Sequence, residues 1–223
     1  ITRKPYARSP LVQRVFLQLP QPTLDSNLAD AERVQETITR LTGISSMQMG
    51  LRLVHRLPEL LRENDFAVTA TIGHRGNIAE VMDLNGGDLS ERNYLAVVDV
   101  GTTTVVVHLV DAVGITTVDA QACFNSQAVY GREVTSRIMA AEKKGAATLQ
   151  ERIVEDINRL ISTVASRNNV SPKDITAVVC AGNTTMLHFL LALPAHNIRR
   201  KPYIAASVAP PPIRAAERGG RIT

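Results

Sequence analysis

Hydrophobic and polar positions follow two periods along this chain, and each change of period marks an element. The mostly apolar run VQRVFLQL, Val12 to Leu19, predicts a strand, followed by the loop PQPTLDSN. Ala31, Val34, Ile38 and Leu41 recur at helical spacing, and Gly43 sits where such a helix stops. A second apolar stretch from Leu51 to Leu61 continues as a short helix around Pro58. Strands follow at 66–73 and 77–83, joined by His-Arg-Gly, a hairpin signal, and NGGD at 85–88 marks a loop. From Asn93 onward the pattern predicts strands at 94–100, 104–111 and 115–122, helices over 129–143 and 148–168, a strand at 176–181 and a helix at 184–192. In the long helix, Ile153, Ile157, Leu160, Ile161 and Val164 make one apolar stripe, with Glu151, Arg152, Glu155 and Asp156 set on the other side.

The pattern divides the chain into a linker at 1–11, a small α+β module at 12–92 and an α/β unit at 93–223, with NGGDLSERN as the break. Ile1 at the start, and ERGGRIT soon after the proline run APPP at the end, read as the cut edges of a longer protein.

Composition removes whole classes of function. The 223 residues are 44% hydrophobic and 21% charged, enough for one large domain or two small ones. A net charge of +4 with only 4% aromatic residues and no Trp gives neither a basic footprint nor a stacking platform for nucleic acid. The densest basic run, Arg199-Arg200-Lys201, reads as a solvated loop. No apolar run reaches the ~18 residues of a membrane span, and the N-terminus has no signal-peptide pattern, so a cytoplasmic protein is expected. Cys123 and Cys180 lie far apart in apolar surroundings and suit buried thiols of a reducing compartment, not a disulfide or a metal site. His55 and His74 stand singly and read as surface residues.

The first predicted unit shows no catalytic cluster. In the second, the strand pair breaks at Asp99-Val-Gly-Thr-Thr-Thr104. Glycine admits a close backbone approach, turn amides and threonine hydroxyls hold phosphate oxygens, and a nearby aspartate holds Mg²⁺ through water. An ordinary hairpin turn explains the same residues. A second strand ends in Ala-Gly-Asn-Thr-Thr (181–185) before a helix, where Asn183 or Thr184 serves as a cap. Two glycine-hydroxyl turns, each closing a strand of one unit, favour a nucleotide-phosphate site over two unrelated turns.

VDVGTTTVVVHLVD resembles the first phosphate loop of the actin, sugar-kinase and Hsp70 ATPase superfamily. AGNTTMLHFLLAL, IRRKPYIAA, PPPIRAAERG and NSQAVYGREVTSRI are similar to one family within it, the reductive activators of corrinoid proteins. That resemblance implies a small α+β module followed by the first half of an actin-like, ribonuclease H-like ATPase domain. It implies Asp99 holding Mg²⁺ through water, and Gly101, Thr102, Thr103 and Thr104 around the β- and γ-phosphates of ATP. Gly182, Asn183, Thr184 and Thr185 would line the facing side, with Gly131 and Glu133 in a third loop, where the family more often has an aspartate. The family implies ATP-dependent reduction of a Co(II) corrinoid protein of a methyltransferase system to Co(I). A low-potential donor would feed electrons through an N-terminal [2Fe–2S] domain, and a homodimer is possible. Such a cluster needs four cysteines and this chain has two, so the cluster domain and the second half of the ATPase fold are expected outside it. The chain alone is not expected to hydrolyse ATP. Two other readings share these turns: a small-molecule kinase, which would need a catalytic carboxylate for its acceptor hydroxyl, and a non-catalytic actin-like scaffold.

Overall fold

The computed structural model describes residues 11–75 and 78–215. The chain divides between Asn93 and Tyr94 into two compact units.

The first unit runs β1 (Val12–Gln18), α1 (Asp30–Thr42), β2 (Met47–Met49), α2 (Leu51–Glu63), β3 (Ala67–Arg75) and β4 (Ile78–Gly86). Its sheet order is β1-β3-β4-β2, with β1–β3 and β3–β4 antiparallel and β2–β4 parallel. The helices supply Val34, Ile38, Leu53, Leu57 and Leu61 to a core closed by Leu17, Val68, Ala70, Ile72 and Val81. Gly43 ends α1 in the left-handed region, its N–H donating to Thr39 O at 2.8 Å, as its place in the sequence predicts. Pro58 lies inside α2 without ending it. β4 continues through Asn85 and Gly86, so the loop expected at 85–88 starts later: Val68 pairs with Gly86 and Thr69 with Asn85. The linker at 1–11, apart from Leu11, and Gly76 of the His-Arg-Gly turn lie outside the described residues.

The second unit runs β5 (Tyr94–Val100), β6 (Thr104–Asp111), β7 (Thr116–Phe124), a 3₁₀ turn (Ser126–Tyr130), α3 (Val134–Lys144), α4 (Ala146–Arg167), β8 (Ile175–Gly182) and α5 (Thr184–Leu190). β7, β6 and β5 form an antiparallel meander, and β8 joins β5 in parallel, giving the order β7-β6-β5-β8. Alternate residues Ala96, Val98, Val100, Val105, Val107 and Leu109 face α4, whose stripe Ile153, Ile157, Leu160, Ile161 and Val164 buries against them. Each fully buried Val, Ile or Leu among them contributes roughly 1.5–3 kcal/mol.

Four expectations are corrected here. The helix expected over 129–143 is interrupted, because Gly131 has φ 145 and a Cβ there would stand 2.4 Å from Ser136 Cβ. Asp156, set on the solvent side of α4, is buried at 1% exposure. The basic run does not sit loose in solvent: Arg199 and Arg200 pair with Glu142 on α3 at 2.7 and 3.3 Å, and Arg199 above all lowers the Glu142 pKa. The last helix ends at Leu190, since Ala192 is left-handed at φ 53. Among the described residues no helix is long and apolar enough to cross a membrane.

Candidate functional site

Both glycine turns emerge at the same end of the second sheet, because β5 and β8 run parallel and Val100 pairs with Gly182. The first turn is Gly101-Thr102-Thr103, closed by Gly101 N donating to Thr104 O at 3.0 Å, with Thr104 already in β6. A Cβ on Gly101 would lie 2.4 Å from that oxygen, so only glycine fits. Gly182 is required by the neighbouring backbone, since a Cβ would meet Val100 O at 2.8 Å.

Asn183 joins the turns. Its Oδ1 accepts from Met186 N at 3.0 Å, capping α5, and its Nδ2 donates to Thr102 Oγ1 at 3.2 Å. The cap anticipated at Asn183 or Thr184 is therefore Asn183. Thr103 and Thr104 are exposed, Thr184 is half-buried, and Thr185 is buried beneath the turn. Asp99 alternates with the buried Val98 and Val100, so it stands exposed on the sheet face opposite α4, one residue before the end of β5.

Glu133 is exposed at the N-cap position of α3 without capping it. Its loop is tied down by Arg137, a buried residue whose Nε donates to Gly131 O at 2.8 Å and whose Nη1 approaches Met186 Sδ at 3.8 Å. Burial draws the Arg137 pKa below the ordinary guanidinium value. Asp99, the first turn and the second turn thus gather at one sheet end, whereas the Glu133 loop is joined to them indirectly, through Arg137 and Met186 and through Ala128 and Asn125.

Pattern reading passed over the residues that hold these turns. Asn125 is 1% exposed; its backbone N donates to Thr103 O and its Nδ2 to Gly101 O, each at 2.8 Å, and its Oδ1 accepts from Gln127 N at 3.0 Å. Ser126 N donates to Asp156 Oδ2 at 2.8 Å, and Gln127 Nε2 to Leu149 O at 2.8 Å, both on α4. His188 is buried, bridging Thr184 O at 2.7 Å and Ala206 N at 3.1 Å. The available signal was the polar tripeptide Asn-Ser-Gln directly after a strand, a common start for capped turns.

The cysteines are free and half-buried, on the opposite edge strands β7 and β8. Burial pushes the Cys180 thiol up to about 11 and raises that of Cys123, which keeps both protonated at neutral pH. Among the described residues no three His, Cys, Asp or Glu side chains group as a metal site.

The mixed sheet with paired glycine turns at one end defines the first half of an actin-like ATPase domain in fold. Comparison with known proteins makes this particular. Residues 94–223 match the RACo middle region and residues 2–91 the RACo linker region, and the chain belongs to the RACo family of reductive activators of corrinoid proteins. It is similar to the corrinoid activation enzyme RamQ of Eubacterium limosum, 31% identical over 108 residues that make up 48% of this chain and 18% of that protein. Its fold is similar to a solved reductive activator for corrinoid, iron-sulfur protein, with a TM-score of 0.90 and 33% identity over 98% of this chain and 35% of the other. The chain spans well under half the length of either relative.

Proposed function

We propose that this chain is the phosphate-holding half of an ATP-dependent activator that reduces a corrinoid protein of a methyltransferase system from Co(II) to Co(I). The observation that carries the reading is the convergence of two glycine turns, bridged by Asn183, beside an exposed carboxylate at one sheet end. Family membership and the names of both relatives support the corrinoid substrate.

The residues present fit a polyphosphate. Gly101 lets the backbone fold tightly against Thr104 O with no side chain between, and the threonine hydroxyls and amides of the turn are the donors an anion needs. In this reading Gly101, Thr102, Thr103 and Thr104 hold the β- and γ-phosphates, and Gly182, Asn183, Thr184 and Thr185 shape the facing wall. Asp99 would orient the water shell of Mg²⁺, which would neutralise phosphate charge when bound. Glu133 and Gly131 line the third side. Thr185, being buried, serves the wall through its backbone and packing.

Each reduced corrinoid takes one electron, delivered from a low-potential donor by way of a [2Fe–2S] domain outside this chain. The step is uphill, so nucleotide must favour one conformation of the whole protein over another and so change the partner's cobalt environment. The assay is optical. Full-length protein, a corrinoid partner and a low-potential donor are mixed with and without ATP, and the Co(II) to Co(I) absorbance change is followed. ATP-dependent accumulation of Co(I) is expected. Equal accumulation without nucleotide, or phosphorylation of a sugar or small acid instead, overturns the proposal.

A further inference from the structure

We propose that Asn125 is the positioning residue of the phosphate turn, a role that rests on the ATP reading above and specifies how that turn is kept in shape. The three-residue turn has no regular ladder of its own beyond the Gly101–Thr104 contact. Asn125 grips it at two points: the carbonyl of Gly101 by the side-chain amide and the carbonyl of Thr103 by the backbone N–H, both at 2.8 Å. A trans peptide points each C=O and the following N–H in opposite directions. Holding these two carbonyls on Asn125 therefore turns the N–H groups of Thr102 and Thr104 away from it. Carbonyl oxygens repel a phosphate and amide hydrogens attract one, so this orientation decides the sign of the turn toward an anion.

The side chain is suited to nothing looser. Its Nδ2 meets a carbonyl and its Oδ1 meets an N–H, so both ends of the amide are matched and its orientation is fixed. Asn125 is itself braced through its two successors, since Ser126 and Gln127 are anchored on α4 at Asp156 and Leu149. The longest helix of the unit thus supports the turn through one tripeptide. Asn125 lies beneath the turn at 1% exposure and acts through the backbone, without touching the ligand.

Asn125→Asp isolates the role, because aspartate keeps the acceptor for Gln127 N–H and loses the donor to Gly101 O. In the full-length protein, calorimetric titration at about pH 8 should show MgATP affinity reduced at least ~tenfold, with AMP affinity unchanged, because AMP lacks the β- and γ-phosphates. Lowering the pH to about 5.5 protonates part of a buried carboxyl, restores an O–H donor and should recover ATP affinity in the variant but not alter the wild-type ratio. If Asn125→Asp does not fold, Asn125→Ser decides the matter, its shorter hydroxyl giving a smaller loss with the same ATP-to-AMP split. Unchanged ATP affinity, or parallel loss of ATP and AMP, overturns the positioning role while leaving the nucleotide reading intact. A wild-type protein that binds no MgATP overturns the nucleotide reading and this role with it.

Discussion

Both units bury polar side chains, but they use them differently. In the first, the fully buried Arg33 donates to the carbonyls of Pro20, Ser26 and Leu28, at 3.0, 3.2 and 2.8 Å. Those bonds fasten a long loop to its own helix, and Thr69 likewise donates to Gly87 O and accepts from Leu89 N. In the second, the buried Asn125, Gln127, Arg137 and Asp156, together with the exposed Asn183, bond toward two turns and the helices that brace them. The hydrogen bonds of the first unit fasten loops to their own elements, whereas those of the second hold two glycine turns in shape. A function grafted on a fold resides in the latter kind of arrangement.

The difference is breakable in four ways, taken from the largest expected effect. Arg33→Leu should lower stability by about 3 kcal/mol, because three carbonyls lose a buried charged donor. Urea unfolding would measure it, and MgATP affinity of the full-length protein should stay the same; a proportional loss of affinity would erase the contrast. Asp99→Asn should do the reverse. Its exposed carboxylate leaves the melting temperature almost unmoved, while Mg-dependent ATP turnover falls on the order of 10²-fold, roughly 2.7 kcal/mol of barrier. Equal turnover in the two proteins would remove Asp99 from the site.

Asp156→Asn should cost about 1 kcal/mol, since the amide still accepts from Ser126 N but no longer pairs as an anion with Arg159. Here stability and ATP affinity should drop together, by a few-fold in affinity, because the brace leads to Asn125; loss of stability alone would sever the brace from the turn. The smallest effect belongs to Asp119, which Arg167 grips through Nε at 2.7 Å and Nη2 at 2.6 Å. That guanidinium, with Asn168 and Ala120 N–H, holds its carboxyl down at about 2 against an ordinary 3.8. The unfolded chain therefore binds more protons between those values. The contribution is present above about pH 3.8 and lost as pH falls through about 2. Asp119→Asn should flatten this acid limb of the stability profile slightly, with neutral-pH ATP affinity unaffected.

Much of this architecture was legible because it is periodic. β5, β6 and β8 follow their apolar runs, and all five residues of the predicted stripe on α4 are buried. The glycine turns were legible because a single residue type is required where backbones approach closely. Three things were not. β2, Met47–Met49, is only three residues long and is set by its parallel pairing with β4, a contact with no local signature. Asp156 carries a charge and so reads as solvent-facing, yet it is buried where it receives the Ser126 N–H. Asn125 resembles any turn asparagine until the fold brings Gly101 and Thr103 against it. Periodicity reports burial of apolar groups; the partner of a buried polar group is a fact of tertiary structure alone.

The parallel pairing of β8 with β5 also bears on when the two turns can meet as the chain is made. β5 and β6 are joined by a three-residue turn, so this hairpin can close on the microsecond scale of local contacts. β8 is separated from β5 by the whole of residues 101–174, so that pairing closes a far longer loop. The Gly101 turn can therefore form early in synthesis, while Gly182 and Asn183 can stand beside it only after the intervening residues have been made. In the proposed reading, an emerging chain is thus in no position to capture nucleotide between the two turns until nearly all of this sheet has been built.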